Sequence, residues 1–473
     1  MPVFQTTLQI ILLIFVVLMV FNIIIFVHEL GHFLAGKWRG LQIDRFQIWF
    51  GKPIWKKEIN GVQYGLGWIP AGGFVSLPQM APMEAIEGGD KDRKPLPAIS
   101  PLDKIIVAFA GPFFSIMLAL VAALVVWGVG KPKDFVPSTT VGYIQKGSKA
   151  EEAGFHPGDQ ILKINGSKVN GFAGTLNSIT ESIVLSSGDK IIFTVKRPGV
   201  TNPIDLSAGF DRPKSRWFQR SGLRKVGIGP GNKLIVDGVY KGSPADKAGI
   251  VKGDVIISVD GQQLYSDSQL DQYLDANSSK TLTLGVQKSL GLIVPVEITA
   301  AKPIKPASAK LDLGIKWNYD ASVDIRLVNV DPLTQIGDSL KMMWVTITSV
   351  ADPRSSIGVD HLSGPVGIGK LLYSLLQTND GWRRILGFMV LFNVNLAVLN
   401  MLPFPVLDGG HIALALLEKV CGRPVQVKVL EIIQTACALA LISLMLYVTS
   451  KDIGDGLGRD GGDKIGGEII FAE

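Results

Sequence analysis

One pentapeptide and the segment that carries it narrow the possible folds of this chain more than any other feature. Residues 28–32 read His28-Glu29-Leu30-Gly31-His32, and no charged side chain precedes them between Met1 and Val27. The stretch from Leu8 to Val27 is almost wholly apolar. A run of that length spans a bilayer as a helix, because a helix pairs its own backbone polar groups where no water is present. A helix turns once in about 3.6 residues, so His28 and His32 share a face and suit one tetrahedral ion. Glu29, beside them, is placed to take a proton from a water bound there. The plainer alternative is a pair of packed histidines with a solvated glutamate. Ionisable groups inside spans are costly and usually functional, which favours the metal.

Three further charge-free stretches have the length of spans: Ile105–Gly130, Ile385–Leu407 and Ile432–Ser450. No basic leader or small-residue cleavage pattern precedes His28, so a cleaved signal peptide is not expected. The segment between the first two spans carries Lys37, Arg39, Arg45, Lys52, Lys56, Lys57, Lys91, Arg93, Lys94 and Lys104. That bias puts it in the cytoplasm and both chain ends outside, although Arg383 and Arg384 lie on the outer side of the third span. The same juxtamembrane cations account for the net charge of +6, and no basic stripe interleaved with aromatics suggests nucleic acid. Two cysteines, Cys421 and Cys437, make a disulfide framework improbable.

Between spans two and three the chain repeats itself. Gly147-Ser148-Lys149-Ala150, Ala153-Gly154-Phe155 and Gly158-Asp159-Gln160-Ile161 recur as Gly242-Ser243-Pro244-Ala245, Ala248-Gly249-Ile250 and Gly253-Asp254-Val255-Ile256, all at one offset. Gly166 and Gly261 close matching turns. Each copy reads as a short helix ended by glycine, a Gly-Asp turn and a strand. Alternation continues through Ile191–Val195 and Leu282–Val286. The pattern resembles tandem PDZ domains, in which an extended peptide adds to a sheet edge. Val226-Gly227-Ile228-Gly229 and Leu313-Gly314-Ile315 read as carboxylate-loop or edge-strand pieces, or as ordinary closing strands.

A zinc ion held by two histidines needs a third protein ligand and an open position. The block Asn400-Met401-Leu402-Pro403-Phe404-Pro405-Val406-Leu407-Asp408-Gly409-Gly410-His411 offers one. Its prolines break the helix and its glycines permit close backbone approach. Asp408 is the expected ligand; His411 is a second possibility, more simply read as a supporting donor or helix-start residue.

These features together resemble the site-2 proteases, specifically the regulator of sigma-E protease type. The resemblance runs through His28–His32, Gly111-Pro112, the doubled module, Ser363-Gly364-Pro365 and the block from Asn400 to Gly409. It implies His28, His32 and Asp408 as zinc ligands and Glu29 as general base, with Asn400, Pro403 and Pro405 in substrate handling. Where members of that family often carry an asparagine beyond Gly-Pro, this chain has Phe113-Phe114-Ser115.

The segments Arg45–Phe50, Val62–Trp68 and Ala71–Leu77 alternate like strands. The resemblance implies a re-entrant hairpin whose edge, through Gly73, Phe74 and Val75, pairs with substrate; a hairpin lying on the headgroups is the alternative. A transmembrane peptide must unwind to be cut, and a sheet edge can satisfy the groups it frees. Ile336, Leu340, Met343, Trp344 and Ile347 recur at helical spacing, as an apolar face that either packs or gates. Asn22, two turns before Glu29, is expected to bond within the protein. The Gly- and Asp-rich tail reads as mobile.

The expected architecture is an α-helical membrane protein of four spans with a re-entrant hairpin region, plus two mixed α/β PDZ-like domains. Its parts are 1–36 (span one), 37–100 (hairpin region), 101–130 (span two), 131–231 and 232–320 (PDZ-like domains), and 321–380 (amphipathic helices). The remainder is 381–427 (span three, the Leu407-Asp408-Gly409 motif and a loop), 428–450 (span four) and 451–473 (tail). The expected activity is zinc-dependent cleavage of single-pass membrane proteins in the bacterial inner membrane, with the PDZ-like domains periplasmic and the metal toward the cytoplasm. The resemblance implies a substrate of anti-sigma factor type or signal-peptide remnants, and peptide tails as partners of the PDZ-like pair. Rival readings are a membrane PDZ scaffold without proteolysis, a zinc transporter, and a peptidase acting on soluble peptides.

Overall fold

The structure is a computed structural model that describes residues 2–80, 96–97, 99–278, 280–288, 291–305, 310–321, 324–422, 427–457 and 471. Lys91, Arg93 and Lys94, used above for orientation, and nearly all of the tail beyond 457 lie outside the described residues. The chain forms two compact units: Met1–Pro132 with Leu327–Val345 and Ser363–Ile453, and Lys133–Arg326 with Thr346–Leu362 and Gly454–Glu473.

The first unit is built on helices. Described in chain order it contains α1 (Pro2–Trp38), strands β1 (Arg45–Ile59) and β2 (Val62–Ser76), and α2 (Pro101–Val129). After the second unit's sheets come α3 (Pro332–Ala351), α4 (Pro365–Leu376), α5 (Gly381–Asn400), α6 (Asp408–Cys421) and α7 (Val427–Leu457). Four of these are long and apolar enough to cross a membrane: Ile10–Trp38, Pro101–Val129, Gly381–Asn400 and Val429–Asp455. Side chains such as Phe15, Trp127 and Leu446 project from them exposed, as lipid-facing surfaces would.

Small residues let the spans touch. A Cβ on Gly31 would sit 2.4 Å from the carbonyl oxygen of Ala110, so α1 and α2 meet backbone to backbone. Ser100 caps α2, accepting from the Asp103 amide. The third span stops at Asn400, short of the expected Leu407, because Met401–Leu407 turns through Pro403 and Pro405, which cannot donate to a helix ladder. At the far end of α7, the buried Asp452 accepts from the amides of Gly364 (3.0 Å) and Gly367 (2.7 Å), fixing the start of α4.

One expectation is corrected here. Val62–Trp68 and Ala71–Leu77 are not separate strands but one, β2, which bends at Gly72 (φ 72°) and gives β1 residues 45–48 two sets of partners, 63–66 and 73–76. In α3 the apolar residues divide between two sides: Met343 is buried and Ile336 packs against Ala122, Ala123 and Val390, whereas Leu340, Trp344 and Ile347 are exposed. The buried Gln335 joins the inward side through a hydrogen bond of 3.0 Å from its Nε2 to the Ala123 carbonyl in α2.

The second unit holds both copies of the repeat. In the first, a four-stranded sheet runs in the order Ser167–Lys168, Gln160–Ile164, Ile191–Lys196, Ile204–Ala208, beside the pair Val141–Ile144 and Ile228–Pro230. In the second, Ile293–Thr299, Thr281–Gln287, Val255–Val259, Leu234–Val239 and Ile315–Trp317 form the path of a six-stranded sheet. The cores match: Ile161, Ile164, Ile191, Phe193 and Val195 in one copy, Ile256, Val259, Leu282, Leu284 and Val286 in the other. Ser148 and Ser243 cap the equivalent short helices, accepting from Glu151 N and Asp246 N.

The repeated aspartates explain why the Gly-Asp turn recurs. Asp159 and Asp254 are fully buried. Asp159 accepts from His156 N (2.9 Å) and binds Arg197 at 2.8 and 2.7 Å. Asp254 accepts from Val251 N (2.9 Å) and from Lys288 Nζ (2.7 Å). Each carboxylate closes its own turn and ties it to the end of a strand.

Candidate metal centre

The site lies within the helical unit, where α1, α2, β2, α5 and α6 supply its walls. His28 and His32 leave α1 one turn apart and are buried, and Asp408 opens α6 directly after the Pro-containing turn. His28 Nε2 is 3.3 Å from Asp408 Oδ2, His32 Nε2 is 3.3 Å from Asp408 Oδ1, and the two Nε2 atoms are 3.3 Å apart. These three residues form the one His/Cys/Asp/Glu group among the described residues able to hold a metal ion.

Helix α2 fixes both imidazoles from behind. His28 Nδ1 lies 2.9 Å from Ser115 Oγ, and His32 Nδ1 lies 2.8 Å from the Val107 carbonyl oxygen. A carbonyl can only accept, so His32 carries its proton on Nδ1 and offers Nε2 as a lone pair. The Ser115 hydroxyl can accept from His28 Nδ1, which leaves the His28 Nε2 lone pair toward Asp408. Gly111 lies between these two supports, and a Cβ there would stand 2.2 Å from His32 Nε2 and 2.9 Å from His28 Cε1. Only a glycine leaves room for the rings.

The donor set fits a zinc ion. Each imidazole Nε2 lies 3.3 Å from one oxygen of Asp408, His28 from Oδ2 and His32 from Oδ1, and the two Nε2 atoms are 3.3 Å apart; bonds of about 2.0–2.1 Å to a tetrahedral ion place donors about 3.3 Å from one another. Asp408 Oδ2 is also buried without a hydrogen-bond partner, a cost that a cation would remove.

A cavity of about 290 Å3 opens on this face, lined by Glu29, Phe50, Gly73, Phe74, Val75 and Asn400 along with the three presumptive donors. Asn400 Nδ2 is 3.2 Å from His28 Nε2. Gly73 approaches Glu29 closely enough that an added Cβ would contact the Glu29 Cγ at 3.5 Å. His411 lines the same cavity outside the three-residue group. Pro403 and Pro405 lie in the turn between α5 and α6 and are not part of the lining. Asn22 does bond within the protein, donating to Leu18 O and accepting from Trp49 Nε1, which ties β1 to α1. The sequence reading gave Val107, Gly111 and Ser115 no part in the metal centre. The signal was present: they follow one another at intervals of four, as His28 and His32 do, so all three share one face of α2.

A carboxylate and two histidines held from behind by α2, facing a cavity that Glu29 lines, on helices built to cross a bilayer, define an intramembrane zinc metalloprotease. Comparison with known proteins agrees. Residues 16–444 match the model of peptidase family M50, and the chain belongs to that family. It is 28% identical over 461 residues to a Pasteurella multocida (strain Pm70) protein whose name includes zinc metalloprotease, covering 92% of this chain and 97% of that one. It is 26% identical to the regulator of sigma E protease of Haemophilus influenzae over 447 residues, 91% of this chain and 96% of the relative. Identity to the regulator of sigma-E protease RseP of Escherichia coli (strain K12) is 26% over 450 residues, 90% of this chain and 94% of the relative.

Proposed function

We propose that this protein cuts single-pass membrane proteins within the bilayer, with His28, His32 and Asp408 holding zinc and Glu29 as the general base. The observation that carries the reading is the close grouping of His28, His32 and the Asp408 carboxylate, with Glu29 in the cavity they face. Zinc, when bound, supplies Lewis acidity toward a water and toward the scissile carbonyl. Glu29 accepts the proton of the attacking water and returns it to the leaving amine. Gly73, Phe74 and Val75 offer an edge to an unwound substrate, and Asn400 offers its amide to the substrate backbone. Pro403 and Pro405 act one step back, by shaping the turn that presents Asp408.

The family resemblance implies a substrate of anti-sigma factor type, with signal-peptide remnants as further candidates. The two repeats, 131–231 and 232–320, act as PDZ domains that admit or sense substrate tails, and the hairpin 37–100 is re-entrant. The bias of Lys and Arg toward the segment between the first two spans supports an inner-membrane orientation with the repeats and both ends periplasmic. The test is Glu29→Gln in purified protein: zinc and fold are retained while cleavage of a model transmembrane substrate is lost. Unchanged turnover rejects the mechanism.

A further inference from the structure

Phe471 belongs to a Gly- and Asp-rich tail that has no apolar run long enough to form a core, yet its side chain is only 4% exposed. Its ring lies 6.4 Å from that of Tyr240, inclined by 42°. It also covers Gly314, where an added Cβ would come within 3.1 Å of Phe471 Cε2. Tyr240 is held in turn by Lys316, whose Nζ stands 4.3 Å from its ring. Beside Phe471 runs a groove of about 410 Å3, lined also by Pro244, Lys247, Ile298 and Lys302.

The internal repeat makes this position informative. Both copies share the glycine that closes over the capping serine: Gly227 over Ser148 in the first, Gly314 over Ser243 in the second, each with positive φ. The surroundings of that shared glycine differ. At the offset of the repeat, Tyr240 corresponds to Gln145 and Lys247 to Glu152. The aromatic platform and the cation are therefore particular to the second copy. In the sequence Phe471 is accompanied by the acidic Glu468 and Glu473, and the groove beside it carries the cations Lys247 and Lys302.

We infer that the second repeat carries a peptide site for a large aromatic side chain flanked by acidic residues, and that this chain's own Phe471 fills it in cis. A ligand tethered through a short linker competes at an effective concentration of about 1 mM, so a free segment of weak affinity is kept out until the tail is displaced. The inference depends on the fold of the repeat and not on the protease reading, so either can fail alone.

Two experiments on the full chain test it. With Cys421 and Cys437 replaced by alanine, oxidation links Phe471→Cys to Tyr240→Cys within one molecule and leaves Phe471→Cys unlinked to Gln145→Cys. Equal linking of both pairs, or links formed only between molecules when single variants are mixed, overturns the proposal. In fluorescence anisotropy, a labelled peptide of residues 465–473 binds the Phe471→Ala protein with about tenfold higher apparent affinity than wild type, and the same peptide with alanine for Phe471 does not bind. Equal binding of the peptide to both proteins overturns it as well.

Discussion

Replacing Ser115 with alanine tests how far the zinc site depends on support from α2. Ser115 is fully buried, and its Oγ lies 2.9 Å from His28 Nδ1. Removing one oxygen leaves that N–H without an acceptor and without access to water, which costs about 1–3 kcal/mol. Outer partners of metal-bound histidines carry about 10–100-fold in metal affinity, which is about 1.4–2.8 kcal/mol and falls in the same range. The freed imidazole can also move its proton to Nε2 and so withdraw the lone pair that faces Asp408. We therefore expect Ser115→Ala to raise the half-saturating zinc concentration by about 10–100-fold in a chelator competition assay. Turnover at saturating zinc recovers, because Glu29 is untouched. Unchanged zinc affinity in a folded variant would refute the reasoning and leave α1 alone as the element that orients His28. His32 offers no equivalent test, since its partner is the main-chain carbonyl of Val107.

Three further outcomes follow from the same geometry. Gly111→Ala introduces a Cβ 2.2 Å from His32 Nε2; at about 1–3 kcal/mol of overpacking, zinc affinity falls at least tenfold while circular dichroism keeps its helical content. Asp254→Ala strands the Lys288 ammonium and frees the Val251 amide, and destabilises the second repeat by about 3 kcal/mol in denaturant unfolding; a change under about 0.5 kcal/mol contradicts the role given to it. Asp271, pushed up to about 6 by lost hydration and then by Asp267, Asp312 and Asp275, holds its proton longer in the folded state than in the unfolded one. Stability of the repeat therefore falls as pH rises from about 4 to 6, by about 1 kcal/mol after solvent screening. Asp271→Asn removes that slope, and a variant whose pH profile matches wild type argues against it.

The parts of this protein written in local pattern could be read from the sequence. His28, Glu29 and His32 were visible because helical spacing fixes their shared face, and Asp408 because it follows a proline break in an apolar run. The repeats were visible because many positions recur at one offset. The parts that rest on contacts distant in sequence were not. Ser115 meets His28 across 87 residues, and Asp254 meets Lys288 across 34; a shared face within one helix, as for Val107, Gly111 and Ser115, does not say which distant residue it meets. The inward position of Gln335 in α3, beside Ile336 and Met343, was not legible either, because it depends on one amide bonded to the Ala123 carbonyl. The strand pieces of the hairpin were placed correctly but joined differently, since the bend at Gly72 keeps β2 continuous. Phe471 was hidden in a tail whose composition speaks for solvent.

The central claim is that the first span and the segment after the third grip one metal ion together. Zinc analysis with X-ray absorption on the purified wild type, Asp408→Ala and His411→Ala proteins tests it most directly. The account predicts nitrogen and oxygen ligands at about 2.0–2.1 Å in the wild type, loss of zinc in Asp408→Ala, and retention in His411→Ala. Full occupancy without Asp408 together with an empty site without His411, or sulfur at about 2.3 Å, would contradict it.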